Sequence, residues 1–417
     1  MDRLYFTDSN RLVHKFTATI TYITLFFIYL LYIGGTIMKF FIQKDRLIEA
    51  VSDVLKAVAS RTTIPILVGI KIDTTDEGVY LTGSDSDISI KSFIPREEED
   101  TEIVEIVEKG SIVLHARFFS EVVRKLPESI VEVSVEDQFK TVIRSGNAEF
   151  IIHGLDAEEY PRLPQINQEN SFTMPTDLLK NVIKQTVFAV STSETRPILT
   201  GVHWTFENNE LIAVATDSHR LALKKATLQT SLEQDQSFSI VIPGKSLTEL
   251  TKVLDDNQEP VEIIVTENQI LFKAKNLLFY SRLLEGKYPD TSKLIPTDSK
   301  TTTKLNSKEF LEAVDRASLL AREGKNNVIK FAILENDIIE ISSYTPEIGK
   351  VVEKVKSLAV EGEDIKISFS AKYMMDALRA IDATDITIYF TGSMRPFILK
   401  SDSDDTILQL ILPVRTF

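Results

Sequence analysis

Asp217, Ser218 and His219 are the three residue types of a hydrolytic triad, and they stand side by side. A nucleophilic serine normally draws its base, and that base's carboxylate, from separated stretches of chain. A consecutive run is therefore not expected to be catalytic. Asp85-Ser86-Asp87 and Asp402-Ser403-Asp404-Asp405 look like the opening of calcium loops, yet lack the glycine and closing glutamate that such loops require. They are expected to be turns instead. The chain has five histidines and no cysteine, which excludes disulfides and thiolate metal sites. No Walker loop, dinucleotide fingerprint or metalloprotease helix occurs. The sequence thus calls for no catalytic residue, no metal and no cofactor.

In place of such chemistry the chain has repetition. RFFSEVVRKL (117–126) reads like KSLTELTKVL (245–254), and both read like KYMMDALRAI (372–381). The spacings are 128 residues (117 to 245) and 127 residues (245 to 372). Tyr160-Pro161 recurs as Tyr288-Pro289, and Pro65-Ile66-Leu67 as Pro197-Ile198-Leu199. Solenoid repeats run roughly 20–50 residues; this period is the length of a small domain. Counted from Met38, 380 residues remain (417 less 37), or three copies of about 127.

The elements of each copy follow from apolar spacing. The first is an amphipathic helix. In copy one it covers 44–58, with Leu47, Ile48, Val51, Val54, Leu55 and Val58 on one face. In the others it covers 177–190 and 308–320. Strand pairs with turn residues between them follow at 69–73 and 78–82, 201–206 and 211–215, and 328–334 and 338–341. The repeated decapeptide is a second helix, and more alternating strands come after it. Each copy is expected to be α+β, with two helices and two sheets' worth of strands. Boundaries fall near 161–170 and 296–303, rich in Pro, Asn, Thr or Ser. The domains are then 38–165, 166–295 and 296–417.

Residues 16–38 carry no charge over 23 positions, a length that would span a bilayer. Gly34-Gly35, just before Met38, would be encoded as GGN GGN upstream of an ATG. That is how a translated ribosome-binding site looks. Residues 1–37 are expected to be an over-extended gene start, the alternative being a membrane anchor. Net charge is −14, so the chain as a whole should repel nucleic acid. The acidic run 97–100 is expected to be a solvated loop.

ATDSHRLA (215–222) is similar to a signature of the bacterial sliding clamps, where Gly commonly stands in place of Ser218. So are TRPILTG (195–201), EGKYPD (285–290) and LPVR (412–415). The resemblance, to the DNA polymerase III beta subunit family, runs from Met38 to Phe417 and covers all three repeats. The 37-residue extension is the departure from it. It implies three clamp domains per chain and a head-to-tail homodimer. Six domains would close a ring around duplex DNA, helices inside and sheets outside. It further implies a non-catalytic, cytoplasmic processivity factor. The partners implied are the replicative polymerase alpha subunit, the clamp loader, other polymerases and repair proteins. Topology then replaces affinity, and a sliding ring avoids strong salt-dependent phosphate contacts. Acidic outer sheets with basic inner helices would reconcile the net charge with a positive pore.

By the same resemblance, partners insert a short Gln- and Leu/Phe-containing segment at the junction of repeats two and three. Matching positions in repeat two are Leu199, Thr216, Ser218, His219, Arg220 and Leu221, then Pro289, Lys293 and Leu294. Repeat three supplies Tyr373, Met394, Pro396, Leu410, Leu412, Pro413, Val414 and Arg415. Apolar members would make a slot, with Arg and His at its rim and Arg220 set against an exposed C-terminal strand. DNA contacts carry over to Arg61, Ser193 and Arg196. The dimer contact would set an edge strand with Phe150 and Ile152 against Leu319 and Leu320. Glu347 and Glu353 would add charge pairing. The competing readings are a membrane-anchored scaffold using the same pocket, and an enzyme using Asp217 and His219.

Overall fold

The computed structural model describes residues 37–59, 62–164, 171–228, 237–255, 259–322, 327–346 and 348–415. Arg61, Glu347 and residues 1–36 lie outside them. The chain divides after Pro164 into two compact units.

The first unit opens with β1 (Met38–Gln43), whose Met38, Phe40 and Ile42 alternate into the core. It runs directly into α1 (Lys44–Val54), which buries Leu47, Ala50, Val51 and Val54. A meander follows: β2 (Gly69–Thr74), β3 (Gly78–Ser84) and β4 (Ile88–Pro95). Then come β5 (Val104–Glu108), β6 (Ser111–His115) and α2 (Ala116–Lys125), with Phe119 and Val123 buried. β7 (Ile130–Val135), β8 (Lys140–Ser145) and β9 (Ala148–His153) complete it. One sheet has the order β9-β8-β7-β1-β5, and a second run has the order β4-β3-β2-β6. β9 is therefore an edge strand.

The second unit holds repeats two and three. Repeat two comprises β10 (Ser171–Pro175), α3 (Thr176–Lys184), β11 (Gly201–Glu207), β12 (Glu210–Thr216) and β13 (Arg220–Thr227). It continues with β14 (Phe238–Pro243), α4 (Gly244–Val253), β15 (Pro260–Val265), β16 (Gln269–Ala274) and β17 (Leu277–Arg282). Repeat three opens with β18 (Thr301–Asn306) and α5 (Ser307–Ala321), where the Asn306 side chain caps the helix by accepting from Glu309 N at 3.0 Å. β19 (Val328–Leu334), β20 (Ile338–Thr345), β21 (Gly349–Lys356) and β22 (Ala359–Gly362) follow. β23 (Lys366–Ser370) leads into α6 (Ala371–Ile381), then β24 (Asp385–Phe390), β25 (Phe397–Ser401) and β26 (Ile407–Ile411).

Each repeat is thus strand, helix and three strands, performed twice, with one extra strand in repeat three and three in repeat one, two of these being the short pair Glu97–Glu98 and Thr101–Glu102. In the second unit β10-β15-β16-β17 form one run, β21-β20-β19-β23 a second sheet, and β14-β11-β12-β13-β26-β25-β24-β18-β22 a nine-stranded third. The nine-stranded sheet is continuous because β13 of repeat two pairs antiparallel with β26 of repeat three, Arg220 facing Ile411 through Lys224 facing Ile407. That ladder makes two repeats one unit. In repeat three, Phe331, Phe369, Phe390 and Phe397 are fully buried with ring centroids 5.1–6.3 Å apart, the range of favourable aromatic pairs.

Two helices end sooner than their apolar spacing suggests. α1 stops at Val54, passes through a 3-10 turn (Leu55–Ala57), and Val58 is extended. α3 stops at Lys184, where buried Thr186 donates its hydroxyl to Val182 O (2.7 Å) ahead of a second 3-10 turn (Val187–Ala189). Spacing reports which face is covered, and a 3-10 turn continues that face with different hydrogen bonds. The C-terminal strand is not exposed as expected: all five residues of β26 are buried, because it lies inside the nine-stranded sheet. Among the described residues no helix is long and apolar enough to cross a membrane.

Candidate functional site

The run from Thr216 to Arg220 is the turn joining β12 to β13. Asp217 Oδ1 accepts from His219 N (2.8 Å) and Arg220 N (3.0 Å). Thr216 Oγ1 donates to Arg220 O (2.6 Å) and accepts from Ser218 N (3.1 Å). Asp217 is an Asx-turn residue, so the carboxylate of the would-be triad is occupied by backbone. Ser218 has φ +79°, the left-handed region where a Cβ is strained. That geometry favours glycine, the residue the family resemblance leads us to expect at this place. Its hydroxyl accepts from Arg196 Nη2 at 2.8 Å.

The two aspartate-rich stretches are turns as well. Asp85 Oδ1 accepts from Asp87 N and Ile88 N at 3.0 and 2.8 Å. Asp404 holds buried Lys224 at 2.7 Å, with Thr406 Oγ1 2.6 Å from the same ammonium. Among the described residues no group of three or more histidines and carboxylates is placed to hold a metal.

Arg220 departs from the expected rim position. It is 7% exposed. Nε donates to Asp217 Oδ2 (3.0 Å), Nη1 to Asp376 Oδ2 (2.7 Å) and Nη2 to Phe188 O (2.6 Å). The guanidinium lies 4.5 Å from the centre of the Tyr373 ring and 5.2 Å from that of Phe188. Only a planar fork of five donors can serve two carboxylates, a carbonyl and an aromatic face together. Arg220 ties the turn of repeat two to α6 of repeat three.

Several of the remaining candidates lie beside this tie. Leu412 N donates to His219 O (2.9 Å), and Val414 N to Ser368 O (2.7 Å), so the C-terminal segment is threaded past the turn. Leu221 and Leu410 are buried with Val214, Ile398 and Leu408, and half-buried Leu412, Ile295 and Tyr389 pack against them. Leu199 belongs to a second cluster with Val241 and Tyr288. Tyr288 links the clusters, its hydroxyl oxygen accepting from Thr216 N at 3.1 Å. Burial pushes the Tyr288 phenol up from its ordinary value. Its ring stacks on His203 (4.8 Å), which burial holds below the ordinary histidine value. Leu294 and Met394 are each 52% exposed. His219, Pro289, Lys293 and Arg415 are exposed, whereas Tyr373, Pro396 and Pro413 are half-buried. Lys293 pairs with Asp290 at 3.3 Å.

Of the residues expected at DNA, Ser193 sits in a turn against Thr195 (2.9 Å), while Arg196 is drawn onto the Ser218 turn. Of those expected at a dimer contact, Phe150 and Ile152 lie on edge strand β9, beside Ile151, which is 51% exposed. Leu319 (59% exposed) and half-buried Leu320 are on α5. Glu353, on edge strand β21, is held by Arg316 of its own chain at 2.8 Å. It therefore has a cation already. Sequence reasoning missed Phe188 and Asp376. The one available signal was a column: Glu121, Glu249 and Asp376 occupy the fifth position of the three aligned decapeptides. Only in the third does that acid meet Arg220.

The Ser218 backbone is testable. Ser218→Ala is expected to lower stability by no more than about 1 kcal/mol, the value of one exposed hydrogen bond. Ser218→Val sets a β-branched residue at positive φ and is expected to cost about 2 kcal/mol or more. Denaturant unfolding compares them; equal midpoints would contradict the left-handed turn.

Comparison with known proteins matches the three repeats in turn. Residues 38–164 match the DNA polymerase III beta subunit N-terminal domain, 173–290 its central domain and 292–415 its C-terminal domain. The beta sliding clamp of Bacillus subtilis (strain 168) is 64% identical over 380 residues, covering 91% of this chain and 100% of that protein. That of Halalkalibacterium halodurans is 53% identical over the same shares. The crystal structure of the B. subtilis DNA polymerase sliding clamp superposes with a TM-score of 0.89 over 91% of this chain and 100% of that one. The DNA polymerase III beta chain of Streptococcus pneumoniae, 42% identical, gives 0.87 over the same shares.

Proposed function

Because the chain belongs to the DNA polymerase III beta subunit family, the beta sliding clamps, we propose how its residues serve that role. The function is that of a sliding clamp, a non-catalytic processivity factor of DNA replication that works with DNA and polymerase as a dimer. The observation that carries this is the match of one chain to all three domains of the family in order.

We take the domains as 38–165, 166–295 and 296–417. Two copies close head to tail, helices lining the hole and sheets facing outward. Aligning the copies supports the helical lining. The first and eighth positions of the second helix are cationic in every repeat: Arg117 and Arg124, Lys245 and Lys252, Lys372 and Arg379. Seven residues are two helical turns, so each pair shares a face, and all six side chains are exposed. A ring carrying them inward is positive within while the chain stays at −14. The dimer contact uses edge strand β9 with Phe150 and Ile152, and the surface of Leu319, Leu320 and Glu353. Partner segments enter beside the Asp217–Arg220 turn, between Leu412, Leu294 and Met394. Arg220 acts from behind as a positioning residue, and Arg196 joins this site through Ser218. Such partners are the replicative polymerase alpha subunit, the clamp loader, other polymerases and repair proteins, met in the cytoplasm.

The test is mass and topology. Chain beginning at Met38 is expected to sediment as a dimer. It is expected to stay on nicked circular DNA and to leave linear DNA through its ends. A monomer, or retention indifferent to DNA ends, would remove the ring.

A further inference from the structure

Sulfur is scarce in this chain, with six methionines and no cysteine. Among the described residues Met38, Met174, Met374 and Met375 are buried, none more than 4% exposed. Met394 is 52% exposed. It stands on the turn between β24 and β25, closed by Thr391 Oγ1 donating to Pro396 O (2.9 Å) and Arg395 N donating to Gly392 O (3.3 Å). Phe397 pairs with Ile411, and Ile411 with Arg220. The Met394 turn therefore lies at the same end of the nine-stranded sheet as the Asp217–Arg220 turn and the Leu412 exit. An unbranched thioether there is a soft apolar surface that adapts to varied partners. Its oxidised form is polar.

We propose that Met394 is an oxidation site, and that its sulfoxide weakens capture of partner segments; this rests on the peptide-site reading above. The oxidant is a hydroperoxide, with hydrogen peroxide the simplest. One peroxide oxygen is transferred to Sδ: an S–O bond forms, the O–O bond breaks, sulfur gives up two electrons, and the second oxygen leaves as water. The chain has no thiol to compete for the oxidant, and the other described thioethers are shielded. Exposure governs such reactions, so Met394 reacts first. The product carries an acceptor oxygen where an incoming segment presents apolar side chains, and a desolvated, unpaired acceptor opposes binding.

The experiment treats the full chain with hydrogen peroxide and follows oxygen uptake by peptide mass. Met394 is expected to oxidise about tenfold or more faster than Met38, Met174, Met374 and Met375. Affinity is read by fluorescence polarisation of a labelled peptide containing Gln and Leu-Phe. It is expected to fall roughly tenfold on oxidation. Met394→Leu removes the thioether and sets its own untreated affinity as reference; peroxide treatment should leave that affinity unchanged, whatever its starting value. Uniform oxidation of all methionines would overturn the proposal. So would unchanged affinity of the Met394 sulfoxide, or an equal loss in Met394→Leu. Failure of the untreated chain to bind the peptide sinks the peptide-site reading itself, and is seen before any oxidant is added.

Discussion

Arg220→Ala is expected to destabilise the second unit by about 3–5 kcal/mol, the usual result of stripping one partner from a buried ion pair. The loss has identifiable parts. Asp217 and Asp376 are left facing each other without their cation, and the Phe188 carbonyl loses its donor. Tyr373 and Phe188 lose the guanidinium against their rings. On the proposed peptide site, peptide binding is expected to be lost with it, because the turn and α6 are no longer held together. Arg220→Lys keeps the charge but not the fork, and should fall between. Denaturant unfolding alongside peptide binding tells the roles apart. A Arg220→Ala chain as stable as wild type but blind to peptide would return the arginine to the rim of the pocket.

Phe150→Asp is expected to raise the dissociation constant of the dimer by a factor of about 100 or more, since an unpaired carboxylate would be carried into an apolar contact. The variant protomer should itself remain folded. Phe150 is 36% exposed on an edge strand, and substitutions at such places usually change stability by no more than about 0.5 kcal/mol. Retention on nicked circular DNA should vanish together with the dimer. A Phe150→Asp dimer of normal strength would place the closing contact elsewhere, with exposed Tyr344 and Ile348 the next residues to change.

The repeat and the helix faces were legible because each is local or recurs three times, whereas Leu221 and Leu410, 189 positions apart, were named only through the family resemblance. Helix ends were less so: Val58 and Val190 keep the apolar rhythm after the helical hydrogen bonds have stopped. For Arg220 the resemblance supplied the C-terminal strand and Tyr373, but not its burial or its partners Asp376 and Phe188. Its environment depends on Asp376, 156 positions away, and on a strand pairing nearly two hundred positions long-range. No periodicity encodes which arginine a distant strand will cover. Arg196 shows the same limit, since its attachment to the Ser218 turn is made by a single hydroxyl.

The β13–β26 ladder also has a history within each molecule. Ile407 is made 183 residues after Lys224, the residue it faces. At a synthesis rate of about 5–20 residues per second, the open side of β13 waits roughly 10–40 s for its neighbour. For that interval the nascent chain displays Leu221, Ala222 and Leu223 on an unpaired strand, the kind of edge that recruits wrong partners. Lys224 and Lys225 follow them directly, and charge on an open edge discourages such pairing. The lysine that ends up buried against Asp404 thus spends its first seconds as a guard on an unfinished sheet.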